Sequence, residues 1–353
     1  MKLLICTQKV DKNDSVLGFF HRWIEEFAKH CEMVTVICLE KGEYSLPNNV
    51  KVLSLGKEHG VSRLKYLFCF YRYTWKYRKK YDSVFVHMNP IYAVLGGVLW
   101  KIMKKKVVLW YNHVYGDVYA RVSKKIVKNI LYTSPFSFFS TSYSRATQMS
   151  VGIDTSLFSP EDSNVFVQNS KIKILFLGRI SAIKNVDILI KAAKILDKKG
   201  IDFVLDIVGS AGPKDKGYLE KIRKESMSLE KVGRVRFLGP IPHHMLPDFY
   251  RSHDFYVNLT NSGSLDKTIF EAMACGSLVC VSNKSIANLL EERLKNILVF
   301  KETDEDSLVL AIVRLVKLSE NDKILIKNKL RQFVVDKHGL GCLIKKINYI
   351  LYK

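Results

Sequence analysis

Three charged side chains sit in settings that suit phosphate and diol recognition. Arg179 follows Gly178 at the end of the apolar run Ile174-Leu175-Phe176-Leu177, and Lys184 stands five residues later, ahead of Asn185 and a helical pattern. A strand ending in Gly can turn tightly. Both cations then lie where strand gives way to helix, and the first N–H groups of that helix already favour anions. Two fixed cations there suit a diphosphate and would stabilise it as a leaving group. The alternative for the pair is a solvated basic turn.

The stretch Thr260-Asn261-Ser262-Gly263-Ser264-Leu265-Asp266-Lys267-Thr268 is a polar loop between a strand and a helix. Its backbone N–H groups can receive phosphate or sugar hydroxyls. Glu271 follows about one turn into that helix, among the small and apolar Ala272, Met273 and Ala274. A carboxylate there suits bidentate acceptance from two ribose hydroxyls; the alternative is an exposed glutamate on a helix face. Together the two segments point to a nucleotide-sugar, and so to sugar transfer.

The elements that must position these residues are short apolar strands alternating with helical patterns, the signature of α/β folds with parallel sheets. In the first half, strands are expected at 2–7, 33–39, 51–55, 83–87, 106–110 and 136–140. Helices are expected there at 19–29, 62–79, 91–103 and 120–131. In the second half, strands are expected at 171–177, 203–208, 235–238, 255–259, 278–282 and 297–300. The helices of that half are expected at 185–198, 218–227, 245–251, 267–274, 286–290 and 305–318. A final helical stretch, 323–353, has no strand after it. The polar segment Glu161-Asp162-Ser163-Asn164 breaks the pattern between two blocks of similar size. The sequence therefore predicts two Rossmann-like domains facing across a cleft, 1–163 and 164–335, with 336–353 a helix crossing back to the first. Ligands of such sheets lie beyond the carboxyl ends of the strands.

At 353 residues, 48% of them apolar, the chain can build two cores. Its seven cysteines never fall in CxxC spacing and lie mostly in apolar runs, which implies reduced thiols and a cytoplasmic setting. The N-terminal apolar run is too short for a signal peptide. The run 91–100 is half of what a membrane span needs. No Walker or dinucleotide fingerprint occurs, which argues against an ATPase or a dehydrogenase. Asp304-Glu305-Asp306 has DxD spacing but reads better as a helix cap with acids in the first turn. His243-His244, beside Pro242, reads as a loop pair rather than a metal site.

Taken in order, Val151-Gly152-Ile153-Asp154 with Phe158 and Pro160, Gly178-Arg179 with Lys184-Asn185, Val208-Gly209, Phe237-Leu238-Gly239 and Glu271-Ala272-Met273-Ala274-Cys275-Gly276 resemble retaining glycosyltransferases of the GT-B fold, the group often called family 4. The resemblance covers the second half well and the first half loosely. It implies that the second domain binds a UDP- or GDP-sugar, with Gly178, Arg179, Lys184, Gly209 and the loop Ser264, Leu265, Asp266, Lys267 and Thr268 around the diphosphate and sugar. Glu271 would hold the ribose and the Ile241 backbone the base. The first domain would bind the acceptor, with Gly18 near the donor phosphates and His113 near the transferred sugar. Arg179, Lys184 and His113 are the implied catalytic residues. The reaction would retain anomeric configuration without metal or cofactor. One departure stands out. The first glutamate of the family's E-x7-E element would fall at position 263, which is Gly263, so Asp266 or Lys267 would have to take over its grip on the sugar.

Charge adds a partner. Of the net +22, a net +13 lies between Gly60 and Ile130, where fifteen Lys and Arg face only Asp82 and Asp117. Helix 62–79 carries one stripe of Leu64, Leu67, Phe68, Tyr71 and Trp75 and a second of Tyr66, Phe70, Tyr73 and Tyr77. One stripe can pack on the sheet. The other, taken as the aromatic one, suits the headgroup layer of an acidic membrane, with Lys101, Lys104, Lys105 and Lys106 extending the patch. The expectation is an enzyme of polysaccharide, lipopolysaccharide or capsule synthesis, peripheral on the inner face of the membrane and acting on a lipid-linked glycan. The rivals are a GT-B sugar-nucleotide epimerase, which lacks acids in the first-domain loops, and a nucleic-acid-binding protein, which leaves Arg179, Lys184 and Glu271 without a task.

Overall fold

The structure, a computed structural model, describes residues 1–161 and 171–353. It separates into two compact units. The first comprises Met1–Gly152, Pro242–His244 and Leu340–Lys353, the second Ile153–Ile241 and Met245–Gly339. The linker expected at 161–164 lies, from Asp162 on, outside the described residues; the change of unit falls at Gly152.

The first unit is a parallel sheet of β1 (Lys2–Val10), β2 (Met33–Lys41), β3 (Val50–Ser54), β4 (Ser83–His87), β5 (Lys106–Trp110), β6 (Asn129–Tyr132) and β7 (Ala146–Gln148), ordered β3-β2-β1-β4-β5-β6-β7. Its helices are α1 (Phe19–His30), α2 (Arg63–Lys76), α3 (Pro90–Ile102), α4 (Val118–Ser123) and α5 (Phe138–Ser142). Successive residues of β1 face opposite sides of the sheet, so both sides must be covered. Leu3 and Ile5 join one core with Phe20, Trp23, Ile24 and Phe27 of α1, whose spacing puts all four on one helix face. Leu4 and Cys6 join the other core, with Phe70 of α2 and Tyr92, Ala93 and Trp100 of α3.

The second unit is a parallel sheet of β8 (Ile172–Leu177), β9 (Phe203–Val208), β10 (Val235–Gly239), β11 (Phe255–Asn258) and β12 (Leu278–Val281), ordered β10-β9-β8-β11-β12. Around it run α6 (Val186–Lys198), α7 (Lys216–Lys231), α8 (Leu246–Ser252), α9 (Lys267–Ala274), α10 (Lys284–Ala287), α11 (Glu292–Leu298), α12 (Glu305–Val316) and α13 (Glu320–His338). The last helix, α14 (Leu340–Tyr352), belongs to the first unit and packs on α1 there, burying Leu343, Ile344 and Ile347. The expected single helix over 323–353 is thus two, parted at Gly339, whose backbone is extended (ψ 140°).

Other expectations change. The helix expected at 120–131 stops at Ser123, and Asn129–Tyr132 pairs with β5 as β6. Where a strand was expected at 136–140, Phe138–Ser142 is helical, and 292–298 form α11 where a strand was expected at 297–300. Each error concerns a short apolar run, where spacing does not separate a buried strand from a buried helix. On α2 the aromatic stripe faces inward: Phe70 is buried, and Tyr66, Tyr73 and Tyr77 pack on the core. The exposed stripe is Leu64, Leu67, Phe68, Tyr71 and Trp75. The inner stripe goes where Tyr81, Tyr92 and Trp100 offer matching aromatic area. Among the described residues no helix is long and apolar enough to cross a membrane.

Candidate active site

In the second unit the chain leaves β8 toward one side of the sheet and later enters β11 on the other, so the sheet reverses its strand order between these two strands. That reversal opens a crevice at the carboxyl edge. Gly178, Arg179 and Lys184 follow β8, Gly209 follows β9, Ile241 follows β10, and Ser264 to Glu271 follow β11. Because all strands are parallel, these residues share one edge.

The strand ends meet closely. The Gly178 amide donates to the Val208 carbonyl (3.0 Å), and a Cβ on Gly209 would stand 1.9 Å from the Gly178 carbonyl oxygen. With φ at +134°, position 209 admits glycine and little else. Beyond β8, the Ile180 amide donates to the Ser210 carbonyl (3.0 Å). Asn185 then takes a left-handed φ of +48°. Its side-chain amide holds that turn by donating to the Leu259 carbonyl (2.9 Å) and to Asn261 Oδ1 (2.8 Å).

That turn brings Lys184 across the crevice. Its ammonium donates to Thr260 Oγ1 (3.0 Å) and pairs with the Asp266 carboxylate. Asp266 Oδ2 also accepts from Thr260 Oγ1 (2.7 Å) and Asn258 Nδ2 (3.1 Å). The network continues through the Tyr256 hydroxyl, which accepts from Asn258 Nδ2 (3.0 Å) and donates to Thr268 Oγ1 (2.7 Å). Burial alone would raise the Asp266 pKa. The Lys184 ammonium and the bonds from Thr260 and Asn258 outweigh it and hold the carboxyl below its usual range. Asp266 occupies the N-cap of α9 yet makes no cap bond. A cap is worth about 1 kcal/mol, and this carboxylate serves Lys184 instead.

Two titratable groups lie further along α9. Burial pushes the Lys267 ammonium down to about 8, against the pull of the Glu271 carboxylate. Glu271 is itself 3% exposed and accepts from the Tyr250 hydroxyl at 3.3 Å. Burial and that carboxylate drive the Tyr250 hydroxyl far up. Glu271 is therefore an inward carboxylate, not one on a solvated face. Arg179 is the opposite case: exposed, with no side-chain hydrogen bond or ion pair among the described residues.

The geometry thus joins Lys184, Asp266 and Thr268 in one network and places Arg179, Gly178, Gly209, Ile241, Ser264, Leu265, Lys267 and Glu271 along the same edge. Position 263 is closed to a glutamate in this backbone. Gly263 is buried with φ at +121°, and its amide donates to Ser285 Oγ (3.2 Å). In the first unit, Gly18 precedes α1. Its amide donates to the Asp14 carbonyl (3.0 Å), and a Cβ there would come within 2.4 Å of that oxygen. The Gly18 loop requires glycine for its own closure. His113 is exposed just past β5, edge-on to Tyr111 with centroids 5.2 Å apart. Asp304 caps α12, accepting from the Ser307 amide (2.8 Å). Sequence reasoning missed Tyr256 and Asn258, and named Thr260 only as part of the loop. The available signal was an asparagine ending an otherwise apolar strand, since a buried amide needs partners.

Two doubly wound parallel sheets, the second with a charged crevice at its switch point, define the GT-B class of glycosyltransferase fold. Residues 159–332 match the family described as glycosyl transferases group 1. A D-inositol 3-phosphate glycosyltransferase of Catenulispora acidiphila is 30% identical over 146 residues, 38% of this chain and 34% of that one. The alpha-monoglucosyldiacylglycerol synthase of Streptococcus pneumoniae is 27% identical over 144 residues, 40% of this chain and 31% of the other. The chain therefore matches about a third of the length of these relatives. Among solved structures, Anabaena HepE in complex with UDP and glucose superposes over all of both chains with a TM-score of 0.77 at 15% identity. WaaG, a glycosyltransferase involved in lipopolysaccharide biosynthesis, superposes over 99% of both at 0.69 and 14% identity.

Proposed function

We propose that the protein is a retaining, metal-independent glycosyltransferase of the family 4 kind. It moves a sugar from a nucleotide-sugar to a lipid-linked cell-surface glycan at the inner face of the membrane. The observation that carries this reading is the crevice between β8 and β11, where Lys184 reaches Thr260 and Asp266 while Arg179 next door has no partner among the described residues. A diphosphate entering there would meet an uncommitted guanidinium and an ammonium already aimed at the α9 loop. Charge that grows on the diphosphate as the sugar leaves is stabilised by groups fixed beforehand. Glu271 would accept from the ribose hydroxyls, loop amides from Ser264 to Thr268 would receive the donor, and the Ile241 backbone would take the base. The first unit would hold the acceptor, with His113 at the carboxyl edge of its own sheet.

Relatives and neighbours support the substrate class: HepE is described with UDP, and WaaG with lipopolysaccharide synthesis. The exposed Leu64, Leu67, Phe68, Tyr71 and Trp75 of α2, among Arg63, Lys65, Arg72 and Lys76, support docking on an acidic membrane. The test is thermal unfolding with UDP, GDP or RNA, followed by a donor-hydrolysis screen across nucleotide-sugars. At one hundred times Kd a nucleotide stabilises by about 2.7 kcal/mol. Arg179→Ala should cut that stabilisation without changing the unliganded Tm, because the side chain is exposed and makes no ion pair among the described residues. Stabilisation by RNA alone, or undiminished nucleotide stabilisation in Arg179→Ala, would overturn the reading. Retention is read from the anomeric configuration of the first product by NMR.

A further inference from the structure

The amino edge of the first sheet, opposite the edge bearing Gly18 and His113, holds a separate basic hollow. It lies where α3 runs into β5, where the chain enters β6, and just before β7, and measures about 430 Å³. Its cations are Lys101, the run Lys104 to Lys106, Lys125, Lys128 and Arg145; among the described residues no carboxylate side chain lines it. Lys105 donates to the Tyr81 carbonyl and Lys106 to the Ile350 carbonyl, while Lys128 donates to the Lys353 main-chain oxygen. Neutral acceptors thus hold the Lys105 and Lys106 ammonium groups in place without cancelling their charge. Burial, then repulsion from Lys128 and Lys353, lowers the Lys106 pKa. None of the seven makes an ion pair among the described residues. Like charges so gathered raise the free energy of the fold until an anion enters.

The backbone adds a second sign. Lys104 follows the end of α3 with φ at +53°, its amide bonded to the Lys101 carbonyl and that of Lys105 to the Trp100 carbonyl. Glycine is the usual residue there because a side chain is strained. A lysine instead keeps an ammonium at the hollow. Beside it, Val98 and Ile102 of α3 are 71% and 73% exposed. The Tyr71 hydroxyl of α2 donates to the Leu95 carbonyl of α3 (3.0 Å), so the exposed stripe of α2 adjoins this ridge.

We propose that the hollow seats the phosphate monoester headgroup of an anionic lipid while Val98 and Ile102 enter the membrane interface. This rests on the membrane reading above and adds a headgroup preference to it. At roughly 30 Å³ per water, the hollow has room for about fourteen waters. That suits one phosphate with its hydration rather than a polymer. A monoester carries close to two charges at neutral pH and three acceptor oxygens, and so satisfies more of the lysines than a singly charged diester.

The experiment is vesicle sedimentation of the full chain at fixed ionic strength. Phosphatidylcholine vesicles carry either phosphatidate or phosphatidylglycerol, matched for total charge. Phosphatidate vesicles should bind several-fold more tightly. Lys104→Gly and Lys128→Gln should each remove about fivefold of that preference while leaving binding to phosphatidylglycerol nearly unchanged. Lys104→Gly also controls for folding, since glycine suits that backbone and its Tm should not fall. Binding to neither vesicle would defeat the membrane reading and this inference with it. Equal binding to both, unmoved by the variants, would defeat the hollow alone. Stabilisation by inorganic phosphate that Lys104→Gly removes and Arg179→Ala keeps, without vesicle binding, would mark a soluble-anion site and overturn the lipid assignment.

Discussion

Lys184→Ala should destabilise the protein in a pH-dependent way, and the pH dependence separates the crevice network from ordinary loss of contacts. The pair it breaks is mostly buried, with side-chain exposures of 17% for Lys184 and 18% for Asp266. Two unit charges about 4 Å apart interact by roughly 4 kcal/mol at an effective dielectric near 20. Removing one partner of a fully buried pair costs about 3–5 kcal/mol. Here water reaches part of the pair, and Asp266 keeps its bonds from Thr260 and Asn258. A loss of about 2 kcal/mol follows, or roughly 4–8 °C in Tm for a unit of this size. The sign follows from linkage. With Lys184 present, the folded pKa of Asp266 is depressed. Its contribution is therefore in place above the unfolded value near 3.9 and fades as pH falls through the folded value. Without Lys184 the strongest lowering influence is gone, so the folded pKa rises from its depressed value and protonation relieves the variant first. The deficit of Lys184→Ala should narrow as pH falls from about 6 toward 4, and Lys184→Ala/Asp266→Asn should recover most of it at pH 7. Urea unfolding at pH 7, 5.5 and 4 measures both. A deficit flat across that range, or a double variant as poor as the sum of the singles, would refute the reasoning.

Three further outcomes follow from the same edge. Gly209→Ala should cost about 3 kcal/mol or more, since its Cβ would sit 1.9 Å from the Gly178 oxygen at a φ of +134°; a urea midpoint indicating less than 1 kcal/mol would contradict the close strand crossing. Tyr250→Phe removes the 3.3 Å bond to Glu271 and should cost about 1–2 kcal/mol. It should also weaken nucleotide stabilisation if Glu271 holds ribose, and unchanged stabilisation would separate that carboxylate from the donor. Lys267, with its folded pKa near 8 and an unfolded value near 10.4, sheds its proton first in the native state. Stability should therefore rise with pH between about 8 and 10, a rise that Lys267→Met abolishes; a variant keeping the same slope would place the titration elsewhere.

Much of this architecture was legible because long elements repeat a clear period. The strands at Ser83–His87, Lys106–Trp110 and Phe203–Val208 and the helix Lys267–Ala274 stand where pattern put them. So does the grouping of Arg179, Lys184 and Glu271 at a single sheet edge, because parallel strand order follows from alternating strands and helices. What failed was decided by neighbours. Asn129–Tyr132 is a strand because β5 offers it a free edge, a fact absent from its own four residues. The α2 stripes inverted because the aromatic core formed by Tyr81, Tyr92 and Trp100 lies far along the chain from Phe70 or close to it without any period to reveal it.

The missing glutamate at position 263 shows how the two kinds of information combine. Sequence alone left Asp266 and Lys267 as candidates to take over its role. The structure commits Asp266 Oδ2 to Lys184, Thr260 and Asn258, which fixes the carboxylate in the crevice network and leaves Oδ1 as the oxygen it could offer sugar hydroxyls. Lys267 has a depressed pKa and lies one turn before Glu271, on the helix whose N-cap bond Asp266 forgoes. An ammonium that titrates near 8 can donate where the absent carboxylate would have accepted. If Lys267 grips the donor sugar, Lys267→Met should raise KM for the donor and flatten its pH dependence near 8, while nucleotide alone stabilises the variant as well as the parent. Equal losses for nucleotide and nucleotide-sugar would instead assign Lys267 to the diphosphate.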